Sequence, residues 1–523
     1  MASSSLQPRS LGARRWWALG AVSLAVLAVG LDGTVLSVAL PTLAAKLHAS
    51  ESDLQWFSSG YLLVLAAAML PAGLLGDRSG RKRVMLLALA LFAVGSAACA
   101  AAPSSAWFIV ARALLGLAGA GVIVMALSAL TVLFSEQERP KAVGIWAAVN
   151  FLALPIGPIL GGWLLTHFWW GWVFLMNVPV AVIGMIAVRV LVPESRAPRR
   201  PGLDPVGVAS SVVGLVALTY GLIEAGQHGW SAAGALLPMF AGVAALAGFY
   251  GWERRLTRRH GQALVDLTLF RSRSFTWGVI LAAIALLAMI GVLFTMPQYF
   301  QGVLGTDAMG SGLRLVPLIA GLVVGAVPAD QLGRRLGAKV TVALGFAVLT
   351  GGLIIGTSTS VGASGAFVAA WMAVVGAGMG LTLATASSAA LSELSEERSG
   401  VGSAVLQAVQ KIGGPFGTAI LGSVLSSAYL ARLDLSGIPA AATPVVRQSI
   451  FGGVAIAHQV HSLALLDSVR LAFVHGMDLA LLVSAGFASA GVVLALVFLP
   501  RANALRAANR GPSETPVAVV LNT

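Results

Sequence analysis

The sequence predicts an all-α integral membrane protein made of two six-helix bundles with two further helices inserted between them, fourteen membrane-spanning helices in all. Three observations predict it: a uniformly apolar composition, a succession of apolar stretches each about as long as a bilayer crossing, and two motifs that recur at one common offset along the chain. Hydrophobic residues make up 58% of the 523 residues and charged residues 10%, with a mean hydropathy of +0.89, whereas soluble domains carry roughly 25% charged residues. A soluble enzyme is excluded on that ground. The net charge of +13 would suit nucleic acid in a soluble chain, but these cations stand in short breaks between apolar stretches and form no basic face interleaved with aromatic rings. The single cysteine, Cys99, lies in an apolar run, so an internal disulfide is ruled out and a packing role is expected.

Apolar segments lie near 16–40, 54–76, 84–102, 106–133, 142–165, 172–192, 205–225, 232–252, 275–300, 309–329, 340–358, 363–391, 400–428 and 471–499. The first follows Arg14 and Arg15 as a secretory signal would, but it is long enough for a whole crossing of about 20 residues and reads as a retained helix. The chain thus divides into an N-terminus (1–15), an N-terminal bundle (16–193), two inserted helices with a basic loop (194–274), a C-terminal bundle (275–500) containing a long loop at 431–470, and a tail (501–523). Of the 33 Lys and Arg residues, 26 fall on the side of the membrane that holds the N-terminus and four on the other. This bias places both termini in the cytoplasm of a multi-pass cell-membrane protein. The remaining three, Arg112, Arg314 and Lys411, fall inside spans, where a charge costs at least about 2.5–3.5 kcal/mol and is expected to face a polar cavity or a partner. The basic loop 253–274 reads as a solvated connector, and the interrupted apolar segment 431–470 as a re-entrant hairpin or a lid over the exit.

Between the second and third spans stands Gly76-Asp77-Arg78-Ser79-Gly80-Arg81-Lys82, and between the tenth and eleventh Gly333-Arg334-Arg335-Leu336-Gly337-Ala338-Lys339. Gly157-Pro158 in the fifth span is echoed by Gly414-Pro415 in the thirteenth. Both echoes agree on one offset, which is the signature of a duplicated six-helix unit.

Asp32 lies well inside the first span. An unpaired carboxylate there would take up a proton, which makes it a natural proton carrier; the alternative is a structural hydrogen bond to a neighbouring helix. Arg112, entering from the other side on the fourth span, reaches a similar depth and stays charged, so it is expected to hold Asp32 ionised until a proton or cargo competes, or else to anchor the bundle. Gly116, Gly119 and Gly121 behind it form a face for close helix packing. In the loop motif, Gly73, Gly76, Asp77, Arg78, Gly80, Arg81 and Lys82 are expected to act as a conformational latch, with Gly80 in a left-handed position and Asp77 pairing with arginine. Gly157, Pro158, Gly161 and Gly162, with Pro155, are expected to bend and pack the fifth helix so that it seals the cavity on one side, a mere kink being the alternative. Glu224 reads as a snorkelling carboxylate. Gln407, Gln410 and Lys411 are expected to line the central cavity, with Trp56, Phe57, Tyr61, Trp146, Asn150, Phe151, Phe294, Gln298 and Tyr299 as its walls; lipid contact or core packing is the alternative for each. No phosphate-binding Gly-x-x-x-x-Gly-Lys loop, no His-Glu-x-x-His and no Cys-x-x-Cys is present, so no cofactor, no metal and no ATP-driven step are expected.

Together these motifs resemble the major facilitator superfamily, and within it the fourteen-helix drug/proton antiporters of the quaternary-ammonium exporter type. Leu31-Asp32-x-Thr34-Val35 to Pro41 is similar to that group's first-helix signature, Gly73 to Arg83 to the superfamily's loop motif, Arg112 with Gly116 and Gly121 to its fourth-helix motif, and Gly157-Pro158-x-x-Gly161-Gly162 to the fifth-helix motif of antiporters. The resemblance implies export driven by the proton motive force, with Asp32 and Arg112 in the coupling site. Ser37 and Ala153 depart from the usual asparagine and glycine of those signatures. Relatives that export divalent cations carry carboxylates in the thirteenth helix, where this chain has Lys411 and glutamines, which favours neutral, zwitterionic or anionic cargo over dications. The expected function is therefore proton-coupled efflux of small hydrophobic or cationic drugs and antibiotics by a monomer that needs only the lipid bilayer and no ATPase subunit. A dedicated exporter or transporter of one metabolite, amino acid or lipid is the alternative. A membrane-embedded enzyme would need a catalytic constellation, and the sequence contains none.

Overall fold

The computed structural model describes residues 12–134, 138–196, 204–259, 265, 267–392, 396–436, 438–440 and 442–500. The N-terminal half contains α1 (Gly12–Leu47), α2 (Glu51–Ser79), α3 (Arg81–Ala100), α4 (Ser105–Leu133), α5 (Arg139–His167), a single turn α6 (Trp172–Leu175) and α7 (Asn177–Leu191). Next come α8 (Pro205–His228) and α9 (Ala233–Arg258). The C-terminal half contains α10 (Arg273–Gln298), α11 (Ala308–Arg314), α12 (Val316–Ala326), α13 (Ala329–Leu336), α14 (Ala338–Gly356), α15 (Gly365–Leu391), α16 (Glu396–Arg432), α17 (Thr443–Gln448), α18 (Ile450–Gln459) and α19 (Leu463–Phe498). Below, the N side is the side of the membrane on which α1 begins, and the far side is the side on which it ends.

Capping chemistry sets several of the helix starts. Ser50 accepts from the Asp53 amide while the Asp53 carboxylate accepts from the Ser50 amide, a reciprocal cap that starts α2 directly after α1 ends. Ser104, Asp204, Ser272 and Ser364 cap α4, α8, α10 and α15 one-sidedly, each side chain accepting from the amide three residues on.

All fourteen apolar segments of the sequence are helical. By length and apolarity, twelve helices among the described residues qualify to cross a membrane, two fewer than the fourteen expected. The two segments outside that set fall on α5 and α16. Both are long, 29 and 37 residues, and α16 carries Gln407, Gln410, Lys411 and several glycines. A helix packed among other helices tolerates such residues, because its polar groups face protein rather than hydrocarbon: α5 lies against α1 and α11, and α16 against α10, α2, α19 and α8.

Two cores result. One is built mainly from α1 to α7, and the other mainly from α10 to α19, with Val38, Phe294 and Ala408 packing across the seam. Between them, α8 lies against both α2 and α16, while α9 packs mainly on α8 and is otherwise exposed. Three features differ from the sequence expectation. The tenth span is broken at Leu315, next to Pro317, into α11 and α12, and Arg314 is exposed at the break, donating to Gly310 O of its own turn. The connector after α9 is not simply solvated, since Glu253 is fully buried and accepts from the Val265 amide at 3.0 Å. The long far-side loop folds into α17 and α18, and Phe451 of α18 packs against both cores.

The hydrogen bonds that join the two bundles cluster at the middle and far side of the seam. Gln301 Nε2 donates to Val38 O at 3.1 Å and Ser59 Oγ to Pro415 O at 3.3 Å. The two Gly-Pro helices play matching parts. The Pro158 backbone of α5 lies against Gly312 of α11, and the Pro415 backbone of α16 against Ser59 of α2. The motif echo in the sequence thus corresponds to one cross-seam contact made twice.

Candidate functional site

α1, α2, α4 and α7 converge on Asp32. The residue is 1% exposed and Arg112 of α4 is wholly buried. Arg112 Nη1 donates to Asp32 Oδ2 at 2.5 Å, and Asn177 Nδ2, from the first residue of α7, donates to Oδ1 at 3.1 Å. The rest of the guanidinium is also satisfied: Nε donates to Phe57 O at 3.1 Å, and the group lies 4.2 Å from the centre of the Tyr61 ring, a cation–π arrangement. The Tyr61 hydroxyl donates to Val29 O at 3.0 Å, returning the network to α1. Small residues bring α4 this close, since a side chain at Gly116 would meet the Tyr61 backbone.

Thr34, two residues beyond Asp32, points the other way. Its hydroxyl donates to Ala153 O of α5 at 2.9 Å, and with Pro158, Met289, Leu293, Leu318, Ile319 and Leu322 it lines an apolar cavity between the bundles. The carboxylate therefore faces the interior of the first bundle, while the same helix presents Thr34 to α5 and the seam. Gly157 and Gly161 let α5 lie against Thr34 and Val35, and Gly162 lets it lie against the backbone of Ala308 and Met309 in α11. A continuous contact thus runs from Asp32 through α1 and α5 into the second bundle.

On the N side, Gly80 links α2 to α3 at φ 115°, a conformation that favours glycine. Arg81 Nε and Nη2 donate to Asp77 Oδ1 at 3.0 and 2.9 Å. Lys82 Nζ donates to Arg189 O at 2.7 Å, and Glu194, just past α7, accepts from the Lys82 amide and pairs with Arg83 at 3.6 Å. Gly73 and Gly76 lie against α4, and Arg78 is exposed. In the second copy Gly337 links α13 to α14 with φ 82°, and Arg334 pairs with Asp330 one turn earlier.

The residues expected as cavity walls divide among several places. Tyr61 and Phe57 belong to the ion-pair site, where Tyr61 is buried against Arg112. Trp56 is tilted against Tyr220 of α8, 6.4 Å between ring centres, and Asn150 packs at Gly30 of α1. The Phe151 and Pro155 side chains lie outside the described residues. Gln298 and Tyr299 are buried at the far side, where the Tyr299 hydroxyl donates to Ser360 O at 2.8 Å. Gln407 and Lys411 are partly accessible, and Gln410 Nε2 donates to Ser387 Oγ at 3.0 Å. Among the described residues Lys411 has no ion-pair partner. Four polar residues at or within spans escaped the reading of the sequence: Asn177, the buried Glu51 and Gln55, and Asp478 of α19. Each was visible as a polar residue at or within an apolar segment; what was missing was the neighbour that gives it a role.

Two pseudo-repeated helical bundles around a seam, with a desolvated carboxylate–guanidinium pair inside the first, define a membrane transporter. The chain belongs to the major facilitator superfamily, whose family profile, described as Major Facilitator Superfamily, matches residues 22–418. It is 34% identical over 520 residues to the tetracenomycin C resistance and export protein of Streptomyces glaucescens, covering 97% of this chain and 95% of that one. It is 32% identical over 474 residues to the multidrug efflux pump LfrA of Mycolicibacterium smegmatis, covering 89% and 92%. Among solved structures, a bacterial homologue of the human lysosomal transporter Spinster, in an inward-facing and unoccupied conformation, aligns with a TM-score of 0.67 at 16% identity, covering 93% of this chain and 97% of that chain; this likeness shows the shared fold.

Proposed function

We propose that the chain is a multidrug efflux transporter of the cell membrane that exchanges protons for small hydrophobic drugs or antibiotics by alternating access, with both termini in the cytoplasm. The observation that carries this reading is the Asp32–Arg112–Asn177 network, a desolvated acid paired with a permanent cation inside a transport fold. Protonating Asp32 removes the charge that balances Arg112, which keeps its contacts to Phe57 and Tyr61. α1 is then free to shift relative to α4, and the shift reaches the seam through Thr34 and α5. With the N side in the cytoplasm, the closed far side makes this conformation the one that loads cargo from within. The latch residues Asp77, Arg81 and Lys82 steady the cytoplasmic ends of α2, α3 and α7 in this state. The export and resistance functions named for the relatives support the direction of transport.

Lys411 refines the cargo class. A cation in the inner half of α16 repels a dication and favours cargo that is neutral, zwitterionic or anionic at that point. The relative that exports tetracenomycin C supports a second reading, export of one antibiotic-like compound. Efflux of a set of fluorescent dyes, followed with and without an uncoupler, separates them. Export of several dyes that collapses with the proton gradient is expected; export of a single compound supports the second reading, and export untouched by the uncoupler overturns proton coupling.

A further inference from the structure

At the far side of the seam, Glu51 at the start of α2 is 4% exposed, and Gln298 at the end of α10 in the other bundle is wholly buried. Gln298 Nε2 donates to Glu51 Oε1 at 3.4 Å and to Phe294 O at 3.2 Å, while Gln298 Oε1 has no partner. One turn along α2, Gln55 is wholly buried with neither polar atom satisfied, pressed against Gly422 of α16. A buried carboxylate whose one hydrogen bond among the described residues comes from an amide, beside an amide oxygen lacking a donor, is one hydrogen short. A neutral carboxyl supplies it, because the acid O–H then donates to Gln298 Oε1 while Glu51 still accepts from Nε2, a reciprocal acid–amide pair. An ionised Glu51 supplies no donor and has, among the described residues, no cation to balance it in an enclosed place.

Among the described residues the surroundings provide no such cation. The α1–α2 turn brings exposed Lys46 and His48 and the cap residue Asp53, which is bonded to Ser50; α16 brings Tyr429, whose hydroxyl donates to Val446 O, and Arg432, which is exposed; α8 brings the Glu224–His228 pair. Tyr299, next to Gln298, donates to Ser360 O. Among the described residues Gln298 is the group bonded to Glu51.

We propose that Glu51 is a second protonation site, distinct from Asp32, that licenses closure of the far-side seam: it takes a proton from the far compartment, pairs with Gln298 as the seam closes, and returns the proton to the same compartment when the seam opens. Because the proton enters and leaves on one side, Glu51 adds nothing to the number of protons carried per cargo. It makes closure conditional on external protons, so an empty, unprotonated carrier does not return. This rests on the exporter reading only for naming the far compartment as the external one.

The test is the separation of spin labels at Lys46→Cys and Gly305→Cys, both exposed positions at far-side ends of the two bundles, in the full-length protein in nanodiscs across a pH series; native Cys99 is buried and takes up no label. The open population of the wild type is expected to rise with pH. Glu51→Gln, which keeps a donor amide in place, is expected to hold the seam closed at every pH, and Gln298→Leu to favour the open seam at every pH. Asp32→Asn is expected to keep the pH response of the far side even though it stops uphill export. A seam that ignores pH in the wild type, or an Glu51→Gln variant that follows the wild-type curve, overturns the proposal. Failure of the uncoupler experiment above removes proton-driven export but leaves the label measurement to decide on Glu51 alone.

Discussion

At the scale of single residues, the Asp32–Arg112 pair sets the clearest expectations. Removing one partner of a buried ion pair leaves the other uncompensated and costs about 3–5 kcal/mol. Asp32→Asn is therefore expected both to abolish uphill export in proteoliposomes and to lower the thermal stability of the purified protein. Arg112→Gln combined with Asp32→Asn removes both charges, so stability is expected to recover while export does not. Recovered export in the double variant would show that the pair is only an anchor. Lys411→Ala is expected to leave stability near that of the wild type and to change the ranking of exported compounds toward cations; an unchanged resistance profile in a drug-sensitive host removes Lys411 from the cargo path. Sequence patterning marked Asp32, Arg112 and Lys411 because charges in apolar runs are conspicuous. It did not mark Asn177, which completes the carboxylate's shell from a helix 145 positions away, since an asparagine carries no such penalty and its partner is set by packing.

At the scale of helices, α5 is the element whose composition has the most direct mechanical meaning. Gly162 touches the backbones of Ala308 and Met309, and Gly157 touches Thr34. Gly162→Leu forces α5 and α11 apart, and overpacking of this kind typically costs about 1–3 kcal/mol. The expected outcome is loss of far-side closure, read as cross-linking across the seam that falls while expression and helix content stay unchanged. Asp77→Asn breaks a half-exposed pair with Arg81 within one turn, a contact worth only about 0.3–0.5 kcal/mol. It is expected to leave the melting temperature within error and yet slow the transport cycle, because the pair bears on one conformation and not on overall stability. Equal losses of stability and rate would instead make the motif a simple turn. Both copies of the loop motif place a glycine at positive φ between helices, at Gly80 and Gly337, although their ion pairs connect different positions. The repeat conserves the turn and varies the charges around it.

For the whole molecule, the two bundles are joined at their far side, and α8 stands against the same seam. Ser423 and Ser427 of α16 donate to Leu222 O and Gly226 O of α8 at 2.5 and 3.3 Å, whereas α8 meets α2 through apolar contacts such as Trp56 with Tyr220. The inserted helices are therefore expected to move with the C-terminal bundle. A cross-link between Gly226→Cys and Ser427→Cys is expected to leave export intact, while one between Trp56→Cys and Tyr220→Cys blocks it; the reverse pattern assigns α8 to the first bundle.

The sequence by itself determined the membrane class, the helical segments, the duplicated halves and the buried charges, because a bilayer punishes every unpaired polar group and leaves a legible one-dimensional pattern. It did not determine that twelve helices among the described residues qualify as spans on their own, that the tenth segment breaks at Leu315, that Tyr61 packs on the ion pair, or that Glu51 meets Gln298 across the seam. Those were decided by tertiary packing, since whether a polar residue is paid for by lipid-facing snorkelling, a neighbouring helix or the opposite bundle depends on distances between residues far apart in the chain, and only the folded structure sets those distances.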